Sequence, residues 1–160
     1  MQHRDKEHAY EVRVHWTGNQ GPGTASYRGY GRDHEVAADG RPTLLGSADR
    51  AFRGDPDRWN PEDLLVAALS ECHMLSYLAL AAAEGLVVTG YDDTATGSMT
   101  THADSGGEFT EVVLHPVVQI ADPADRERAR ALHSRAHEVC FIARSVSFPV
   151  HCRPETTVAG

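Results

Sequence analysis

Cys72 and Cys140 are the residues of this chain with the richest chemistry open to them. A thiol pair offers redox work: one sulfur is oxidised and the other closes a disulfide on it. Cys72 sits midway along the stretch 60–85, NPEDLLVAALSECHMLSYLALAAAEG, with Ala68, Leu69, Leu75 and Ser76 as helical neighbours. Taken alone, a cysteine among such neighbours is more often a buried, inert thiol. Cys140 shifts the weighting, because it ends a second helical stretch on its apolar stripe. Two inward thiols can meet if the helices pack, provided their Cα atoms come within roughly 4.4–6.8 Å.

A reactive Cys72 also needs its thiolate stabilised, since an ordinary thiol titrates at about 8.5 and apolar burial raises that further. The helix dipole is too remote, for Cys72 lies ten residues beyond Glu62, about 15 Å along the axis. A guanidinium must serve instead. The loop before the helix carries Arg50, Arg53 and Arg58, and the second strand carries Arg28 and Arg32; each by itself reads as a solvated charge. A zinc site made from Cys72 and His73 is disfavoured, because adjacent helical residues point about 100° apart.

The elements that must position these residues are legible. Asn60 is an N-cap, Pro61 suits the first helical position, Glu62 and Asp63 favour the positive end of the dipole, and Gly85 closes the helix. Apolar residues occupy nearly the whole circumference between those marks, so burial on most sides is expected. Glu62, Asp63, Glu71 and His73 argue against a membrane span. Upstream, Tyr10, Val12, Val14 and Trp16 alternate with polar residues and predict a half-buried strand over 8–17. The stretch 25–36 predicts its antiparallel partner, TLLG a third short strand, and 47–59 a polar loop. Downstream, 86–103 and 108–121 flank a DSGG turn and predict a hairpin, with Pro116 at an edge or bulge. Asp122-Pro123 opens a helix to about Val139, with Asp125 at the capping-box position and Ala129, Leu132, Ala136, Val139 and Cys140 on one stripe. FPVHCRPETTV predicts a last strand. The layout is α+β.

A chain of 160 residues is expected to form a single domain, 1–160. Its net charge of −8 without a basic cluster disfavours nucleic acid and anionic membrane as partners. The charged opening MQHRDKEHAY has no apolar run, which gives the expectation of a cytoplasmic protein. An odd count of cysteines, three, disfavours a disulfide framework.

The Asn60-Pro61-Glu62 opening, a cysteine ten residues after that glutamate and a second cysteine ending a later helix resemble the OsmC/Ohr family, osmotically inducible protein C and organic hydroperoxide resistance protein. The resemblance covers nearly the whole chain. It implies an intertwined homodimer in which antiparallel sheets wrap two long central helices, and thiol-dependent reduction of organic hydroperoxides without metal or bound cofactor. It also implies roles: Cys72 as peroxidatic cysteine, Cys140 as resolving cysteine and Glu62 as the glutamate that holds an active-site arginine. The OsmC branch takes that arginine from the loop before Asn-Pro-Glu, which favours Arg53 over Arg50; the Ohr branch takes it from the N-terminal hairpin, which keeps Arg28 and Arg32 open.

Cys72 is followed by His73-Met74 and Cys140 by Phe141-Ile142, where better-known members usually have Cys-Phe and Cys-Pro, so the chain resembles a less characterised OsmC-like branch. His73 is expected to be packed, with a proton-donor role open, and Cys152 to be structural. The resemblance implies a peroxidase that passes through a Cys72 sulfenic acid and a Cys72–Cys140 disulfide and is restored by a dithiol reductant, lipoyl-type compounds among the candidates. The rival from another class is a non-catalytic dimer that holds a small hydrophobic ligand in its apolar core.

Overall fold

Helix α1 (Pro61–Ala83) begins as its residue types require. Asn60 Oδ1 accepts from the Asp63 backbone N–H at 2.8 Å, and Asn60 Nδ2 donates back to Asp63 Oδ2 at 2.8 Å, so the cap and the third helical residue secure each other. At the far end Gly85 takes a left-handed φ of 69°. Its N–H reaches Ala82 O at 3.2 Å and the Leu86 N–H reaches Ala81 O at 2.9 Å, which satisfies carbonyls that the helix leaves open.

Burial along α1 is narrower than the all-round burial expected. Leu69, His73, Tyr77 and Ala81, each four residues on from the last, form the buried stripe, whereas Leu75 is 62% exposed. The cores of this chain gather on that stripe, with Val66, Leu78 and Leu80 at its margins. By length and composition α1 would also suffice to cross a membrane, a test that core helices pass equally.

The computed structural model describes residues 5–160, which fall into two compact units divided in sequence between Leu64 and Leu65. The first holds an antiparallel sheet of β1 (Arg13–Trp16), β2 (His34–Ala37) and β3 (Leu44–Gly46) in that order. The hairpin and the third strand are as expected, with Val14 opposite Val36 and Val36 opposite Leu44. Strand β1 is shorter than 8–17 and, as an edge strand, exposed along its length. The stretch 25–36 is mostly turns, because Arg32 bends the chain back by donating to the carbonyls of Tyr27 and Tyr30 while its guanidinium lies over both rings.

In the second unit each of the long strands expected breaks in two. Strands β4 (Val88–Asp93) and β5 (Thr96–Thr101) replace one, and β6 (Gly107–Leu114) and β7 (Pro116–Ile120) replace the other. The last strand divides at Arg153-Pro154 into β8 (Val150–Cys152) and β9 (Glu155–Val158). Two sheets result, β4-β7-β9 and β5-β6-β8, each an antiparallel pair extended by a parallel strand. Asp93 fixes two of the breaks together: one carboxylate oxygen accepts from the His115 N–H at 2.7 Å and the other from Ser70 Oγ at 2.5 Å. Pro116, which cannot donate, then opens β7.

Helix α2 (Arg126–Val139) follows a single 3-10 turn at Pro123–Asp125. Asp122 caps that turn by accepting from the Ala124 N–H at 2.8 Å; Asp125 makes no side-chain cap bond and pairs with Arg128 instead. The inward stripe is Ala129, Leu132, His133 and Ala136, with Cys140 buried at the end; Val139, expected there, is 45% exposed. One core joins α1 to α2 and the β4-β7-β9 sheet through Tyr77, Ala81, Leu86, Val118, Ile120 and Leu132; a second gathers around Leu69, Val112 and Leu114.

Candidate functional site

The structure brings Cys72 and Cys140 together. Cys140 caps the end of α2, 1% exposed, and its sulfur accepts from the Ala143 N–H at 3.4 Å. Burial pushes its thiol up to about 11, and a hydrogen bond with the Cys72 side chain pushes in the same direction. Cys140 is thus a protonated thiol at neutral pH, close to a half-buried Cys72. Both are free thiols. Of the neighbours in sequence, Leu69 is buried and Ile142 joins the second core, whereas Phe141 is 77% exposed.

Arg53 and Glu62 lie in the other unit. Asp49 caps the 3-10 turn Arg50–Phe52 by accepting from the Ala51 N–H at 2.7 Å, and Arg53 closes it with a left-handed φ of 67° and its N–H on Arg50 O. Gly54 must follow, because a Cβ there would lie 1.6 Å from Ala48 O. The Arg53 side chain is exposed. Glu62, in the first turn of α1, has a buried Oε2 that accepts no hydrogen bond among the described residues. It lines a 260 Å³ cleft with Arg32, His34, Ser47, Asp49 and Phe52, and Arg53 is not among the lining residues. Arg32 reaches that cleft while its guanidinium is held on Tyr27 and Tyr30. Arg58 pairs with Asp33 and Asp55, and Arg28 and Arg50 are exposed.

A cluster that the sequence reading passed over joins α1, α2 and β8. His73 is buried, as expected, but its ring lies within 5° of parallel to that of His133 and end to end with it, the centroids 5.3 Å apart and Nε2 of His73 3.0 Å from Nδ1 of His133. Burial lowers both imidazoles to about 4, each reinforced by a neighbouring histidine, His137 beside His73 and His73 beside His133. Tyr77 stacks on the other ring and donates its hydroxyl to Ala129 O at 2.9 Å. Cys152 of β8 approaches both histidines, and burial with the nearby Asp93 carboxylate pushes its thiol up to about 12. The signal in the sequence was a histidine on each apolar stripe: His73 between Leu69 and Tyr77, and His133 between Ala129 and Ala136.

Residues 54–155 match the family model of OsmC-like proteins. Among solved structures, an OsmC-like protein of unknown function from Vibrio cholerae is 30% identical, with a TM-score of 0.82 over 92% of this chain and 99% of that one. An organic hydroperoxide resistance protein, OsmC, from Legionella pneumophila is 20% identical, with a TM-score of 0.67 over 96% of this chain and 99% of that one. An organic hydroperoxide resistance protein of Bacillus subtilis is 20% identical, with a TM-score of 0.60 over 93% of this chain and 98% of that one. No curated protein matches the chain.

Proposed function

Because the chain belongs to the OsmC family, we propose that it is a homodimeric, thiol-dependent peroxidase that reduces organic hydroperoxides, with Cys72 as the attacking sulfur and Cys140 as the resolving one. The observation that carries this reading is the proximity of the Cys72 and Cys140 side chains inside an OsmC-like fold. The names of two relatives as organic hydroperoxide resistance proteins support the substrate class.

In this reading the Cys72 thiolate attacks the distal oxygen of the hydroperoxide, the O–O bond breaks, and the alkoxide leaves as an alcohol after taking a proton. Cys72 is then a sulfenic acid. Cys140 attacks that sulfur, the hydroxyl leaves as water, and a disulfide forms. A dithiol reductant, of lipoyl type for example, reopens it by exchange and is itself oxidised to a disulfide. Arg53 stabilises the thiolate and the developing alkoxide, a role that its left-handed backbone supports; for Glu62 to orient it, the exposed Arg53 side chain must swing to Glu62 Oε2, which has no donor among the described residues and shares its cleft with Arg32. Half-buried Met74, and half-buried Ile142 in the core around Leu69, would suit an alkyl chain better than hydrogen peroxide.

The test is a count of free thiols on the reduced protein before and after one equivalent of an organic hydroperoxide per chain. A loss of two thiols per chain, absent in Cys72→Ser, is expected. An unchanged count would replace the enzyme by a non-catalytic binder of small hydrophobic molecules.

A further inference from the structure

His73 and His133 join the two helices that carry the thiols. His73 follows Cys72 on α1, and His133 precedes Cys140 by seven residues, about two turns along the same face of α2. Both rings are buried, and burial keeps them neutral at neutral pH. One facing nitrogen therefore carries a proton and the other accepts it across 3.0 Å, with the rings within 5° of parallel. On the outer side His73 Nδ1 and His133 Nε2 are buried without a partner among the described residues. A neutral pair bonded in this way has one N–H and one lone pair left over, and both are stranded there. Two leucines would strand nothing, so the pair costs stability that an apolar pair would not. What it adds is direction, which apolar packing lacks. Among the described residues the other polar side-chain links between the helices lie farther along α1 from Cys72, at Tyr77 with Ala129 O and at Glu84 with Arg128 and Arg135.

We propose that the hydrogen bond between His73 and His133 clamps α1 to α2 and sets the approach of Cys72 to Cys140, which makes both histidines positioning residues for disulfide closure. The kinetic part of this proposal rests on the peroxidase reading; the geometric part needs only the two thiols. An outer side-chain atom rides about 5 Å from its helix axis, so turning α2 by about 6° shifts the atom by about 0.5 Å. That is enough to carry a 3.0 Å hydrogen bond past its limit. A turn of about 20° without the clamp would move the Cys140 sulfur by about 1.7 Å, close to the whole length of the S–S bond it has to form. Tyr77 steadies the clamp from α1, because its ring stacks on His133 with centroids 4.2 Å apart and its hydroxyl donates to Ala129 O. Cys152 of β8 closes the third side, its sulfur 3.7 Å and 3.8 Å from the two facing nitrogens.

Equilibrating the reduced full chain with glutathione and glutathione disulfide tests the geometry. Cys72 and Cys140 give up two electrons and two protons, one glutathione disulfide becomes two glutathiones, and mapping of alkylated peptides counts the Cys72–Cys140 bond. The equilibrium yields the effective concentration of one thiol at the other. The double variant His73→Leu/His133→Leu should lower it at least about tenfold, about 30 mV in potential, while its urea midpoint holds or rises. His73→Gln places an amide where Nε2 stood, keeps the bond, and should stay within about threefold of wild type, whereas His73→Leu alone should not. With an organic hydroperoxide the double variant should oxidise Cys72 at the wild-type rate but close the disulfide at least about tenfold more slowly, so that a sulfenic-acid trap labels Cys72. Where the double variant loses its far-ultraviolet circular dichroism, His73→Gln against His73→Leu decides. A wild-type effective concentration in the double variant overturns the clamp, and so does a loss in His73→Gln as large as in His73→Leu. If the wild-type chain leaves the peroxide unconsumed while the glutathione difference appears, the clamp stands and the peroxidase reading fails.

Discussion

Arg53 holds a backbone conformation that costs an L-residue about 1 kcal/mol and that glycine would hold freely. The loop is built to keep it there, with Asp49 capping the turn and Gly54 fitted against Ala48. Strain of this kind gathers at functional positions, which gives Arg53 a test that Arg50, Arg28 and Arg32 do not share. Arg53→Gly should leave stability unchanged or raise it by up to about 0.5–1 kcal/mol, the relief of strain being partly offset by glycine's freedom in the unfolded chain. The same variant should lose at least about 100-fold in peroxide reduction, in the range seen when one charge-stabilising donor is removed from an active site. Urea unfolding and a peroxide-consumption assay on the same preparation read both. Full activity would pass the role to another arginine. The residue types at 60–63 and at 53 were readable in the sequence, but the left-handed turn at Arg53 was not, because it depends on the close approach of Gly54 to Ala48.

Elements were legible where the signal was local and obscure where it was tertiary. The ends of α1 follow from Asn60-Pro61 and Gly85, and those residues do in the structure what their types predict. The stripe on α2 was readable as a period, yet His133 went unnoticed because a histidine between apolar positions reads as an interruption until its partner at position 73, sixty residues earlier, is seen. The breaks that turn two expected strands into β4–β7 had no local signal beyond Pro116. Asp93 makes them, from a distance of more than twenty residues to Ser70 and to His115. Asp93→Ala should therefore strand a backbone N–H and a hydroxyl, both part-buried, and cost about 2–4 kcal/mol in urea unfolding. Asp93→Asn keeps an acceptor for the His115 N–H and should lose less. A cost below about 1 kcal/mol for the alanine variant would mean that the strand breaks are held by something else.

At the scale of the whole molecule the question is how Glu62 and Cys72 could serve one site. Both stand on α1, and ten residues of straight helix separate them by about 15 Å. In the proposed homodimer, the second copy of the chain would supply the missing half. Two observations favour it: Leu75 on α1 and Phe141 beside Cys140 are large apolar side chains left 62% and 77% exposed, and Glu62 Oε2 is buried without a donor among the described residues. In such a homodimer each site would take Cys72 from one chain and Glu62 from the other, so a heterodimer of Cys72→Ser with Glu62→Ala would hold one site with both residues intact and one with neither. The two variants, unfolded separately, mixed in equal amounts and refolded, should regain up to about a quarter of wild-type activity, since random pairing makes half the dimers mixed and each mixed dimer has one working site of two. Refolding each variant alone gives the baseline, and native mass spectrometry counts the mixed dimers. Mixed dimers formed in the expected share but no more active than either parent would place the whole site within one chain.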